Sequence, residues 1–302
     1  MNACVESVCP RPILPEPLAP PVSAQGWRMP MREATRAWLG KLWLGVGGAR
    51  EAKVPPVVHV RVESFYAAVE QAENPRLRGK AVLVVSAGSV ASASPEAQSR
   101  GAVAGMKLGE ARKTCPNAIV IPGDYGRYSE YAERVRRILE TCGAPVEMTA
   151  CGSFYLDFSG SRLSMVRFEG ALRRMQTEIL GQTGLSVSVG AGTSRMVAAL
   201  AAREHRPCGL RIVIPGGERE FLRPFPIERV RGIGQKQMSA LRQGGLSTVG
   251  ELQQIPKPVL VAAFGAGIGE RIWRVARGQD VSESLSYVLP VATEVVGAPV
   301  TA

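Results

Sequence analysis

Val57-Val58-His59-Val60-Arg61-Val62-Glu63-Ser64-Phe65-Tyr66-Ala67-Ala68-Val69-Glu70 is the stretch from which the rest of the fold is read. Residues 57–62 are rich in β-branched side chains, which pack well on a pleated surface, and they predict a first strand. Ser64 is placed as a helix N-cap, and residues 64–72 predict the helix behind it. Working outward, short apolar runs predict strands at 81–85, 119–121, 146–149, 154–158, 186–191 and 212–214. Helices are predicted at 95–114, with a break around Gly101–Gly105, and at 127–141, 165–180 and 194–203. Tyr131, Val135, Ile138 and Leu139 fall on one stripe of the second of these. The order strand, helix, strand, strand, helix, strand around 146–214 gives a split βαβ pattern and an α+β fold class. After Pro215 only short helices with glycine turns are expected, so a domain boundary is placed near 215–220. Residues 1–53 read as a disordered or adventitious extension, Pro-rich at first, with a short basic helix predicted over 31–44.

The chain has 302 residues, enough to bury a sizeable core without metal or disulfide staples. Lys and Arg outnumber Asp and Glu by 37 to 26, a net charge of +11 that points to a polyanionic partner. The excess is concentrated at +4 over residues 161–220 and +5 over 221–280. No apolar run is long enough for a spanning helix, so no membrane role is expected. The cysteines Cys4, Cys9, Cys115, Cys142, Cys151 and Cys208 form no C-x-x-C pair, and His59 and His205 are the sole imidazoles. Neither a zinc site nor a disulfide framework is expected, and the chain reads as a reduced, cytoplasmic protein.

Val230-Arg231-Gly232-Ile233-Gly234-Gln235-Lys236 lies between two predicted short helices. A Gly-x-Gly turn opening a helix exposes backbone N–H groups that, with the helix dipole, hold a phosphate. Glycine permits the close approach, and Arg231 and Lys236 add cationic donors. Gly265-Ala266-Gly267-Ile268-Gly269 is a looser second copy. Arg231, Gly232, Gly234 and Lys236 are therefore the candidate DNA-binding residues of a helix-hairpin-helix, a module that grips backbone without reading sequence.

The opening stretch, together with Asn74-Pro75-Arg76-Leu77-Arg78-Gly79-Lys80, resembles the start of a Y-family translesion DNA polymerase of the DinB (polymerase IV) type. Further matches follow in order: Cys115-Pro116, Tyr128, Tyr155-Leu156-Asp157, Ser186-Val187-Ser188-Val189-Gly190, Arg206-Pro207-Cys208-Gly209, and Phe221-Leu222 through the Gly-Ile-Gly turn. The resemblance implies a right-hand polymerase core. Residues 54–64 and 124–215 would form a ferredoxin-like palm, 65–123 small fingers, and 216–280 a helical thumb. Residues 281–302 would be a tail, with the family's little finger absent.

The family's nucleotidyl transfer uses two Mg²⁺ ions, which need carboxylate ligands. At the positions that resemblance assigns to the principal ligands, this chain has Arg61, Gly152 and Ser153. The expectation is no catalytic residue and no bound metal. Arg61 is expected to pair with Glu63, and Asp157 to make a structural hydrogen bond. The family's triphosphate-holding Tyr-Glu-Ala-Arg element reads Pro95-Glu96-Ala97-Gln98. Tyr66 matches a steric-gate position and Arg206 a phosphate-binding lysine, so these two are the candidate nucleotide-binding residues.

Three functions compete on this reading. The first is an inactive, DNA-binding polymerase homologue, accessory to DNA repair and translesion synthesis, acting on primer–template or duplex backbone beside an active polymerase or other repair protein. The second is an active lesion-bypass polymerase requiring Mg²⁺. The third is a decayed, truncated product with no role.

Overall fold

The computed structural model describes residues 53–279, His205 excepted. The expectations for 1–52, including the helix at 31–44, and for the tail after 280 lie outside the described residues.

The expected first strand is β1, Val57–Val62, and the helix behind it is α1, Phe65–Glu73. Then come β2 (Val82–Ser86), β3 (Ser89–Ala93), α2 (Pro95–Gln98), α3 (Leu108–Thr114), β4 (Ile119–Pro122) and α4 (Tyr125–Glu140). The chain continues through β5 (Val146–Ala150), β6 (Ser153–Asp157), α5 (Met165–Thr183), β7 (Val187–Gly192), α6 (Arg195–Glu204) and β8 (Leu210–Ile212). Five further helices complete it: α7 (Glu218–Leu222), α8 (Gln235–Gln243), α9 (Val249–Leu252), α10 (Lys257–Phe264) and α11 (Ala266–Val275).

The main sheet has the order β5-β6-β1-β7-β8, with β1 antiparallel to both β6 and β7. The split βαβ is therefore β6–α5–β7, with β1 inserted between its two strands. This corrects the order expected from sequence, since residues 146–212 run strand, strand, helix, strand, helix, strand. The splitting strand comes from far upstream. A second sheet, β3-β2-β4, contains a strand that the sequence does not announce. Ser89-Val90-Ala91-Ser92-Ala93 lacks the β-branched density of the others, and its pairing with β2 and not its propensity makes it a strand.

Because β-strand side chains alternate, β1 presents two different faces. Val58, Val60 and Val62 are buried in a cluster with Phe154, Leu156, Tyr128, Val135, Phe168 and Leu172. That face lies under α4 and α5. His59 and Arg61 point the other way, opposite Tyr155 and Ser153 on β6 and opposite Gly190 and Ser188 on β7. Helix α6 covers this second face at very short range. A Cβ built on Gly190 would lie 2.2 Å from the Ala198 carbonyl oxygen and from the Ala202 nitrogen. The helix backbone thus rests directly on the strand backbone, which glycine alone allows.

A second apolar cluster joins α6, through Met196, Leu200 and Ala201, to Phe221, Leu222, Ile227, Leu241, Leu252, Leu260 and Ile272 of the following helices. The buried Gln253 amide donates to the carbonyls of Arg219 (3.0 Å) and Ala276 (2.8 Å), tying the start and end of this helical region together. Ser64 departs from its expected role. It is left-handed, with φ 51°, and its side chain does not cap α1. Its hydroxyl instead accepts from Gln98 Nε2 at 2.7 Å. Side-chain caps form at other helices instead, such as Asp124, which accepts from the Arg127 amide at the start of α4.

Candidate functional site

Arg61, Gly152 and Ser153, the positions the resemblance assigns to metal ligands, lie together where β1 ends and the β5–β6 hairpin turns. Arg61 sits directly across from Ser153, and the Val62 amide donates to the Gly152 carbonyl at 2.8 Å. Arg61 Nε pairs with Glu63 Oε1 at 3.2 Å, as expected from sequence. The other Glu63 oxygen pairs with Arg206 Nη1 at 2.9 Å. Both oxygens of this nearby carboxylate are therefore committed to guanidinium groups. Gly152 has φ +80°, and a Cβ there would lie 2.7 Å from the Phe65 ring. The Ser153 hydroxyl meets His59 Nε2 and Thr149 Oγ1, each at 3.1 Å. Asp157 accepts from the Ser159 amide at 2.8 Å, a turn-closing contact like the one expected.

These residues do not fit a magnesium pair. Mg²⁺ requires near-octahedral oxygen ligation, usually anchored by carboxylates. A fixed guanidinium, a left-handed glycine and a hydroxyl supply none at the three positions. Among the described residues no three His, Cys, Asp or Glu side chains cluster as a metal site.

Tyr66 is half-buried in an aromatic group, stacked on Tyr128 with centroids 4.6 Å apart and edge-on to Tyr125. Burial and the adjacent Cys151 thiol raise its pKa. Arg206 is held between Glu63 and the Arg203 carbonyl. Gln98 of α2 donates through Nε2 to the Ser64 hydroxyl at 2.7 Å and to the Ala93 carbonyl at 2.8 Å.

The hairpin turn forms, but its residues divide. Gly232 is left-handed at φ +99°, whereas Gly234 is an ordinary N-cap of α8 at φ −68°. Gly232, not Gly234, is where the backbone itself demands glycine. Arg231 and Gly232 face a cavity of about 570 Å³ between the main sheet and the helical region. Lys236 lies instead on a separate shallow groove of α8 with Gln235 and Ser239.

That cavity is floored by His59, Arg61, Ser153 and Tyr155 and walled by Arg195 and Arg203 of α6, with Arg229 and Arg271 opposite. His59 is 3% exposed. Burial, then the charges of Arg61, Arg203 and Arg231, push its pKa down to about 3, so the ring is neutral. Arg203 is likewise lowered by burial and by its guanidinium neighbours Arg61, Arg231, Arg206 and Arg229. Of these, sequence reasoning singled out only Arg61, Arg206 and Arg231. The signal for the others was the local charge excess, which does not say which residues converge.

The architecture is a polymerase right hand: a split-βαβ palm, a small three-stranded unit and a helical thumb region. Residues 60–203 match the impB/mucB/samB family, and residues 229–280 match the DNA polymerase-iota thumb domain. DNA polymerase IV of Xanthomonas euvesicatoria is 34% identical over 227 residues, covering 74% of this chain and 63% of the relative. DNA polymerase IV of Streptococcus pneumoniae is 30% identical over 229 residues, covering 74% of this chain and 65% of the relative. The chain thus spans somewhat under two thirds of the length of these relatives. Among solved structures, DinB from Sulfolobus solfataricus superposes with TM-score 0.65 at 26% identity, covering 76% of this chain and 68% of that one. The insertion ternary complex of Dbh DNA polymerase gives TM-score 0.67 at 25% identity, covering 75% and 68%. The chain belongs to the Y family of DNA polymerases.

Proposed function

We propose that this chain is a DNA-holding Y-family core that does not carry out metal-dependent nucleotide addition, and that it serves lesion tolerance as an accessory to an active polymerase or other repair protein. Relatives named DNA polymerase IV, and a structural neighbour solved as an insertion ternary complex of a DNA polymerase, support the DNA partner. The observation that carries inactivity is the Arg61–Glu63–Arg206 network, which puts two guanidinium groups on the nearby carboxylate at the substituted ligand positions. A fixed positive charge repels a divalent cation. At 4 Å two unit charges interact by about 4 kcal/mol at an effective dielectric of 20, and Mg²⁺ doubles that. Among the described residues no helix is long and apolar enough to cross a membrane.

The test is primer extension on undamaged and lesion-bearing templates with Mg²⁺ or Mn²⁺, beside a filter-binding measurement on the same DNA. The expected outcome is binding without extension. Extension above background that disappears on Tyr66→Ala establishes the lesion-bypass polymerase instead. Absence of both activities leaves the decayed product as the surviving reading.

A further inference from the structure

Strand β8 forms one edge of the main sheet. It runs parallel to β7, with the Val189 amide donating to the Gly209 carbonyl at 2.8 Å and the Val213 amide to the Ala191 carbonyl at 2.9 Å. In that register Leu210 and Ile212 turn their N–H and C=O groups away from β7. Among the described residues none of these four groups has a hydrogen-bond partner. Beside the edge runs a groove of about 360 Å³, lined by Ile212, Val213 and Ile214 from the sheet and by Gly217, Phe221 and Pro224 from α7 and its flanks. Ile214 is 53% exposed there. An unpaired strand edge next to an apolar groove fits an extended peptide, whose backbone pairs with the edge while its side chains fill the groove.

The chain carries such a peptide close by. The described residues end at Gln279, beside α7: a Cβ built on Gly278 would lie 2.7 Å from the Glu218 Cβ and 3.1 Å from a Val197 methyl group. Glu218 directly follows Gly217 of the groove. Arg219 and Arg277 stand near this exit, where burial and then the Arg219 charge lower the Arg277 pKa. The sequence that follows matches them in sign, since residues 280–302 contain Asp280, Glu283 and Glu294 and no Lys or Arg. Leu285-Ser286-Tyr287-Val288-Leu289-Pro290-Val291 is uncharged and rich in residues that favour strands. Pro290 suits an edge strand, which tolerates a missing N–H on its outer side. Six extended residues span about 20 Å, enough to carry residue 285 past the short helix α7. Tethering makes the encounter intramolecular, so modest contacts suffice.

We propose that residues 285–291 dock along the outer edge of β8, in the groove beside α7, as an added strand that ties the helical region to the main sheet. This contact stands apart from the function proposed above and does not require it.

Amide hydrogen exchange of the full chain, read by mass spectrometry on peptides covering residues 209–215, tests the proposal. Protection of the Leu210 and Ile212 amides is expected. Ending the chain after Gln279 should speed their exchange by at least about tenfold, with circular dichroism confirming that the shortened chain folds. Tyr287→Asp with Leu289→Asp in the full chain should do the same while leaving every described residue in place. Ile214→Glu, at an exposed position, should loosen the contact from the groove side. A synthetic peptide of residues 282–293 added to the shortened chain should restore protection. Equal exchange at β8 in the parent and the Tyr287→Asp, Leu289→Asp variant overturns the proposal. Protection that grows with protein concentration also overturns it, since a second copy's segment would then be covering the edge.

Discussion

At Gly152 the backbone and its packing both select against a carboxylate side chain. Its backbone is left-handed, a conformation that costs an L-residue about 1–2 kcal/mol. The space for a Cβ is filled by Phe65, whose Cβ and ring carbons lie 2.7–2.8 Å away and which is itself buried. Restoring Asp at 152 therefore strains the β5–β6 turn before any metal is considered. Gly152→Asp is expected to lower the urea-unfolding stability by roughly 2 kcal/mol or more, and Gly152→Ala by a similar amount. Ser153→Glu alone should cost little, because its side chain is partly exposed. Equal stability of Gly152→Asp and the parent would mean that the turn rebuilds freely. It follows that Arg61→Asp with Gly152→Asp and Ser153→Glu is expected to give no robust primer extension, since the turn is strained and Pro95 and Gln98 are unchanged.

At the scale of elements, the thumb turn makes the clearest distinction. Gly232 has the positive φ, and Gly234 would bring a Cβ only against the end of the flexible Gln237 side chain. Gly232→Val should weaken DNA binding more than Gly234→Val, with circular dichroism confirming that each variant folds. Lys236→Ala should lower the slope of log affinity against log salt by about one unit, equally for all sequences. A slope unchanged by Lys236→Ala removes that side chain from the interface. Much at this scale was legible in the sequence. β1 is dense in β-branched and β6 in large apolar residues, and α4 shows its stripe directly. β3 was not legible, because alternating Ser and Ala carry little strand preference without a neighbour. The distinction between the two glycines was not legible either, since sequence marks where glycine occurs and not which one needs a left-handed backbone.

Across the whole molecule, the charged cavity was the least readable feature. Arg61, Arg203 and Arg231 lie on a strand, a helix and a thumb loop far apart in sequence, and only the tertiary fold turns them toward one histidine. That convergence has a pH consequence. His59 faces Arg61 on its own strand, Ser153 and Tyr155 on β6, Arg203 on α6 and Arg231 from the thumb. In the unfolded chain it titrates near 6.5, and in the folded protein near 3. Between those values the unfolded chain takes up a proton that the folded one refuses, so stability falls as pH falls through that window and is unaffected above it. From pH 7 to pH 5 the loss should approach roughly 2 kcal/mol. Urea midpoints of the parent and His59→Gln at both values check this. A parent whose acid limb matches that of His59→Gln would show that the ring is protonated in the fold at little cost.

Gly190 and Gly192 hold none of these charges, yet they fix the gauge between them. With no side chain at either place, α6 settles onto β7 at a separation that a single methyl group would forbid, its Cβ falling 2.2 Å from helix backbone atoms at Gly190. The helix carries Arg195 at one end and Arg203 near the other, so its height above the sheet sets how far those guanidinium groups stand from Arg61 and His59. The spacing of the most cationic part of the protein is in this sense dictated by hydrogen atoms on the strand beneath it. Selection acting on that spacing would register at two uncharged positions that touch no ligand at all.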